Sequence, residues 1–149
     1  MVLQALRRLP CLTAGEYQRY GGAEGLERLH IERNIMEAAR AAGLLDRQVR
    51  TVLVALVDPV KGKTVQLSSS QILKRLELDP APHDDRFCRQ IQTALEHLEG
   101  RDVVRRRPAE TGDEEIWLLH HDYLCRGVTA AERHANRWHA FLKERARQF

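Results

Sequence analysis

The sequence predicts a mainly α fold with a small β-wing: a winged helix-turn-helix flanked by N- and C-terminal helices. Three observations predict it. Val103-Val104-Arg105-Arg106-Arg107 and Glu115 to Leu119 read as two strands joined by a turn from Pro108 to Asp113. Phe87, Ile91, Leu95 and Leu98 recur at helical spacing just before that hairpin. A helix, a short alternating strand and a second helix come before those. Helix, short strand, helix, helix and two-stranded wing is the order of a winged helix-turn-helix.

The elements follow in turn. Met1 to Leu9 reads as a short helix stopped by Pro10. Thr13 is placed to cap a helix from Ala14 to Tyr20, with Glu16 completing a capping box, and Gly21-Gly22 ends it. Leu26, Leu29, Ile35, Met36 and Ala39 mark a longer helix from Ala23 to Ala42, closed by Gly43. Asp46 caps a helix through Val57, with Val49, Val52, Leu53 and Leu56 on one face, and Asp58-Pro59 stops it. Thr64-Val65-Gln66-Leu67 alternates like a strand. Ser69 or Ser70 caps Gln71 to Leu76, and Asp79-Pro80-Ala81-Pro82 is a loop. Asp84 caps the helix that runs through Leu98, and Gly100 closes it. After the wing, Asp122 to Arg126 reads as a short helix ended by Gly127. Thr129 caps a last helix with an apolar face of Ala135, Trp138, Leu142 and Phe149.

A chain of 149 residues supports one domain, or a small domain with helical extensions. Charged residues make up 30% and aromatics 5%, which favours a helical, soluble protein with a modest core. The net charge of +3 is too small to argue for nucleic acid by itself. Cys11, Cys88 and Cys125 are far apart with no CxxC spacing, so a reduced, cytoplasmic setting is expected. Met1 to Leu12 lacks the apolar run of a secretory signal, and no stretch reaches transmembrane length, so no membrane partner is expected.

The motifs that carry catalysis do not assemble. Lys61-Gly62-Lys63-Thr64 lacks the glycine that a P-loop needs five residues earlier, where Val57 stands, and reads as a solvated loop. His134 and His139 are five apart, and His120 and His121 are adjacent, so no zinc ligand set converges. No catalytic or metal-ligating residue is assigned. The helix before the wing exposes Arg86, Arg89, Gln90 and Thr93, and the wing presents Arg105, Arg106 and Arg107, the residues a DNA backbone would meet. Asp84, Asp85, Glu96, Glu99, Glu110, Asp113, Glu114 and Glu115 surround them and oppose phosphates.

Two segments carry a family resemblance. Leu12-Thr13-Ala14-Gly15-Glu16-Tyr17 followed by Gly21-Gly22-Ala23-Glu24-Gly25 resembles the Leu-Thr…Tyr…Gly-Gly…Gly pattern that follows the ATPase core of bacterial STAND-type signal-transduction ATPases, relatives of the NACHT and NB-ARC switches. Trp117-Leu118-Leu119-His120-His121-Asp122-Tyr123-Leu124 looks like the His-Asp ending that follows the wing in that family, and Trp138 in a basic helix fits what comes next. Walker A, Walker B and sensor-arginine segments are absent, so the chain looks like the region immediately downstream of a nucleotide-binding core.

The resemblance implies a non-enzymatic regulatory module. It holds no cofactor itself, and ADP or ATP belongs to the parent protein. His121, with His120 as a one-register alternative, would reach the β-phosphate of ADP in the closed state, and Asp122 would orient the loop or cap the next helix. Exchange of ADP for ATP would release the module by a hinge-type movement. Partners implied are the nucleotide-binding core in cis and downstream sensor or effector domains. The organisation implied is a helical linker over 1–44, a winged helix over 45–128 and an amphipathic helix over 129–149. The alternatives are a stand-alone winged-helix transcriptional regulator that binds DNA through Arg86, Arg89, Gln90, Arg105, Arg106 and Arg107, and an adaptor that pairs through the Trp138 helix.

Overall fold

A computed structural model describes residues 13–76 and 85–148. The expected helix over Met1 to Leu9, Cys11, the loop at Asp79 to Pro82, the Asp84 cap and Phe149 lie outside the described residues. The described chain is mainly helical, with two small antiparallel sheets.

Helix α1 (Ala14–Arg19) starts from the expected capping box: the Thr13 hydroxyl accepts from the Glu16 N–H at 3.2 Å, and the Glu16 carboxylate accepts from the Thr13 N–H at 3.1 Å. The chain then turns a tight corner into α2 (Gly22–Ala42). Gly21 and Gly22 take φ of 87° and 69°, backbone that side chains disfavour. Gly25 has a different reason for being glycine, since a Cβ there would overlap the Tyr20 carbonyl. The Gly-Gly…Gly spacing is therefore what the corner requires sterically.

Helix α3 (Asp46–Ala55) begins and ends differently from expectation. Its N-cap is Leu45, whose N–H donates to Gln48 Oε1 at 2.8 Å, and Asp46 is its first helical residue. There the carboxylate faces the positive end of the helix dipole. The helix stops before Val57 because the Asp58 carboxylate accepts from the N–H groups of Val60 and Lys61 and winds the chain into a turn. Strand β1 (Val57–Asp58) leads into that turn and pairs with β2 (Lys63–Thr64). The single strand expected over Thr64–Leu67 is thus divided. Its end belongs to β3 (Leu67–Ser68), which pairs with the second strand of the later hairpin.

Helix α4 (Ser69–Arg75) is capped by Ser68, in a reciprocal box with Gln71, and not by Ser69 or Ser70. Ser69 instead accepts a hydrogen bond from Trp117 Nε1 at 3.2 Å. Helix α5 (Asp85–Gly100) buries Ile91, Ala94, Leu95 and Leu98, and Phe87 is half-buried. Asp102, at φ 58°, reverses the chain into β4 (Val104–Pro108), which pairs with β5 (Glu115–Leu119). The larger sheet has the order β3-β5-β4.

The last element corrects the sequence reading most. Leu124 to Arg147 is one continuous helix, α6, with no break at Gly127 and no new start at Thr129. Gly127 faces α2, where a Cβ would sit 3.0 Å from Ile31 Cγ1 and 3.2 Å from the Glu27 carbonyl oxygen. It permits close helix packing and does not terminate a helix. The buried side of α6 is Leu124, Cys125, Val128 and Ala131, whereas Trp138 and Leu142, on the expected apolar face, are exposed. One apolar core joins α2 (Ile31, Ile35), α3 (Val49, Leu53), α4 (Ile72), α5 (Leu95), β5 (Trp117) and α6 (Val128, Ala131). It draws on all three stretches of the expected organisation. No described helix is long and apolar enough to cross a membrane.

Candidate functional site

The corner between β5 and α6 holds the four residues His120 to Tyr123. The His120 N–H donates to the Val103 carbonyl at 2.9 Å, which continues the hairpin by one residue. Its Nε2 lies 3.8 Å from the Asp102 carboxylate, and its Nδ1 is enclosed with no hydrogen-bond partner among the described residues. His120 is therefore half-buried and committed to the hairpin base.

His121 is the outward member of the pair. It is exposed, stacks on Tyr123 with ring centroids 5.0 Å apart and 19° between planes, and meets His120 edge-on at 4.4 Å. These ring contacts fix its orientation and leave its nitrogens without a hydrogen-bond partner among the described residues. An imidazole so placed can donate to an anionic oxygen brought from outside.

Asp122 is bonded to the β1–β2 hairpin. Its Oδ1 accepts from the Thr64 N–H at 3.0 Å, which ties the corner to β2, and the N-cap position of α6 is taken by Tyr123 without a side-chain cap. In the sequence Thr64 stands out only as the end of the Lys-Gly-Lys-Thr loop and the start of the alternating stretch. Its hydroxyl accepts from the Leu119 N–H at 2.8 Å and donates to the Leu56 carbonyl at 3.3 Å. One threonine thus joins the end of α3, the end of β5 and the His-Asp corner. The only sequence signal for this was a hydroxyl residue at the start of the alternating stretch.

Beside the corner is a cleft of about 440 Å³ between the β1–β2 turn and the first turns of α6, lined by Asp58, Gly62, Tyr123, Cys125, Arg126 and Arg133 among others. Hydrogen bonds from the Lys61 and Val60 N–H groups hold the Asp58 carboxyl below its ordinary range. Arg126 is forked onto the buried Glu27 carboxylate, with Nε to Oε2 at 2.8 Å, and that pairing raises its pKa. Burial, with a smaller push from Asp122, raises the Cys125 thiol to about 11, so it is protonated and a poor nucleophile at neutral pH. Among the described residues no group of three or more His, Cys, Asp or Glu side chains converges as a metal site.

The arginines assigned to DNA in the alternative reading are dispersed. Arg86 and Arg89 are exposed on α5. Gln90 Nε2 donates to the Gly43 carbonyl at 3.0 Å and closes the C-terminus of α2. Arg106 lies 5.4 Å over the Trp117 ring and pairs with Glu99 at 2.7 Å and Glu115 at 3.0 Å, which raises its pKa. Strand alternation puts Arg105 and Arg107 on the opposite face from Arg106. Arg105 is partly buried, with its Nε enclosed, and Arg107 is exposed.

Comparison of the chain with family models, curated proteins and solved structures found no match.

Proposed function

We propose that the chain is a winged-helix regulatory module of a STAND-type nucleotide switch, acting through protein contacts and not by catalysis. The element order α3-β3-α4-α5-β4-β5 and the sheet order β3-β5-β4 support the winged-helix assignment. The observation that carries the functional reading is His121: exposed, oriented by Tyr123, and set on a corner that Asp122 anchors to β2. That arrangement fits a phosphate held by a separate core domain. The neighbouring carboxylate is engaged with a backbone N–H, and the imidazole remains open to donate. In the closed state His121 bonds the β-phosphate of ADP, and loss of that bond frees the module.

The test is made in the protein that carries the nucleotide-binding core. His121→Ala is expected to speed ADP release and raise basal signalling, while His120→Ala, on a residue turned toward Asp102, lowers stability without that effect. Unchanged ADP release in the His121 variant overturns the reading.

The exposed Arg86, Arg89 and Arg107 favour one second reading, a DNA-binding winged helix. A duplex titration separates the two. Binding that weakens steeply with salt, and weakens further in Arg86→Ala, Arg89→Ala and Arg107→Ala, would favour DNA. The engagement of Arg106 with Glu99 and Glu115 predicts little binding above low ionic strength.

A further inference from the structure

The outer half of α6 stands clear of the body. Every residue from Asn136 to Gln148 is exposed, a rod of roughly 20 Å at 1.5 Å per residue. Trp138, Phe141 and Leu142 on it are 55%, 51% and 59% exposed. Spacings of three and four put them on one face of the helix. The patch is ordered before anything binds it. Trp138 Nε1 donates to His134 Nε2 at 3.1 Å, the Trp138 and Phe141 rings meet edge-to-face at 5.8 Å, and the Arg145 guanidinium lies 5.7 Å over Phe141. Side chains already held in place lose little entropy on docking.

At its inner end this patch runs through His134 into a groove of about 400 Å³ between α2, α6 and the start of α3, where Glu32 and Asp46 are balanced by Arg33 and Arg50. Leu29, Met36 and Ala135 give the groove an apolar floor, and Met36 is 43% exposed. Around the rod, Arg137, Lys143, Arg145 and Arg147 stand against Glu144 alone.

We propose that this groove and the free face of α6 dock an acidic amphipathic helix of a partner protein. The partner's apolar residues at i, i+3/i+4 and i+7 enter the groove and cover Trp138 and Phe141, and its carboxylates face Arg145 on that face and Arg137 at its edge. Charge and shape select this occupant together. A second copy of the chain would bring the same cations against themselves. A lipid surface is flat and cannot fill a concavity between two helices. An acidic helix neutralises the rod and supplies the protruding side chains that the groove accepts. Tryptophan and arginine are also the residue types that most often carry interface energy. This surface involves neither His121 nor α5, so the inference stands or falls separately from the nucleotide-switch reading.

The probe is a displayed library of 20-residue helices with randomised surface positions, selected against the chain. Enriched sequences are expected to be acidic with one apolar stripe. A synthesised winner should shift Trp138 emission to the blue, since Trp117 is already fully buried. Trp138→Ala/Phe141→Ala and Arg137→Glu/Arg145→Glu should each weaken binding about tenfold or more, with unfolding midpoints unchanged because all four side chains are exposed. No enrichment, enrichment without acidic bias, or equal binding by the variants overturns the proposal. Binding to vesicles of phosphatidylserine and phosphatidylcholine without peptide binding overturns it in favour of a membrane. Sedimentation as a dimer at micromolar concentration, lost in Trp138→Ala/Phe141→Ala, overturns it in favour of a second copy.

Discussion

Helix α6 consists of two regions that read alike in sequence and differ in surroundings. Its inner turns place Leu124, Cys125, Val128 and Ala131 against α2 and the core, with Gly127 giving the close approach. Its outer turns carry apolar residues at the same helical spacing, and these meet solvent. Periodicity shows that a helix has an apolar face, but whether the same chain covers that face depends on which element lies alongside. Here α2 lies against the inner turns, at Gly127. The outer face meets solvent.

The largest effect that separates the two regions is a leucine truncation in each. Leu124→Ala is expected to cost about 2–5 kcal/mol by urea unfolding, because it opens a cavity in the core. Leu142→Ala should stay within about 0.5 kcal/mol. Equal losses would mean that the outer turns pack on something in the folded chain, and the contrast would fail.

Next in size is Gly127→Val. The added carbons meet Ile31 and the Glu27 carbonyl, and overpacking of this kind costs about 1–3 kcal/mol. If the variant were instead stabilised, Gly127 would be a simple propensity defect and not a packing device.

A smaller effect is read in the alkaline range. The Cys125 thiol titrates at about 11 in the folded chain, above its ordinary value of 9.0. With the folded value raised, the contribution to stability is complete below pH 9.0 and is lost as pH rises toward about 11, since only the unfolded chain ionises in that window. Cys125→Ala should flatten the loss. In a Cys11→Ser background, half-buried Cys88 should label with a thiol reagent in the native protein, and Cys125 only after unfolding. Rapid native labelling of Cys125 would show that the inner turns of α6 open readily.

The smallest effect is a difference in amide exchange. Residues 124–131 should be protected by their packing, and 136–148 should exchange close to the rate of an isolated helix. Protection of the outer turns on adding a selected acidic helix would link this contrast to the proposed docking surface.

The legible parts of the fold were those decided within a few residues. The Thr13–Glu16 box, the glycine stop at Gly43 and the five residues of β5 follow from local hydrogen bonding, φ preference and alternation, and the chain has them where the sequence indicated. Local rules erred where two solutions were nearly equal. Three serines in a row could each cap α4, and the choice of Ser68 leaves Ser69 for the Trp117 indole, a contact 48 residues away. The candidate site belongs with the second group. Trp117 and Leu119 face the core, so alternation continued past β5 would turn His121 inward, yet it is exposed and His120 is half-buried. Neither the Asp122–Thr64 bond nor the stacking on Tyr123 has a signal in the sequence.

By itself, then, the sequence determined element types, most helix ends and the apolar periodicities, because these depend on sterics and hydrogen bonds spanning about four residues. Tertiary structure alone decided that Gly127 is a packing residue, that Arg106 is held by Glu99 and Glu115, and that Trp117 is buried while Trp138 is bare. Burial and pairing depend on which distant segment arrives alongside, and a side chain carries no local mark of its eventual neighbour.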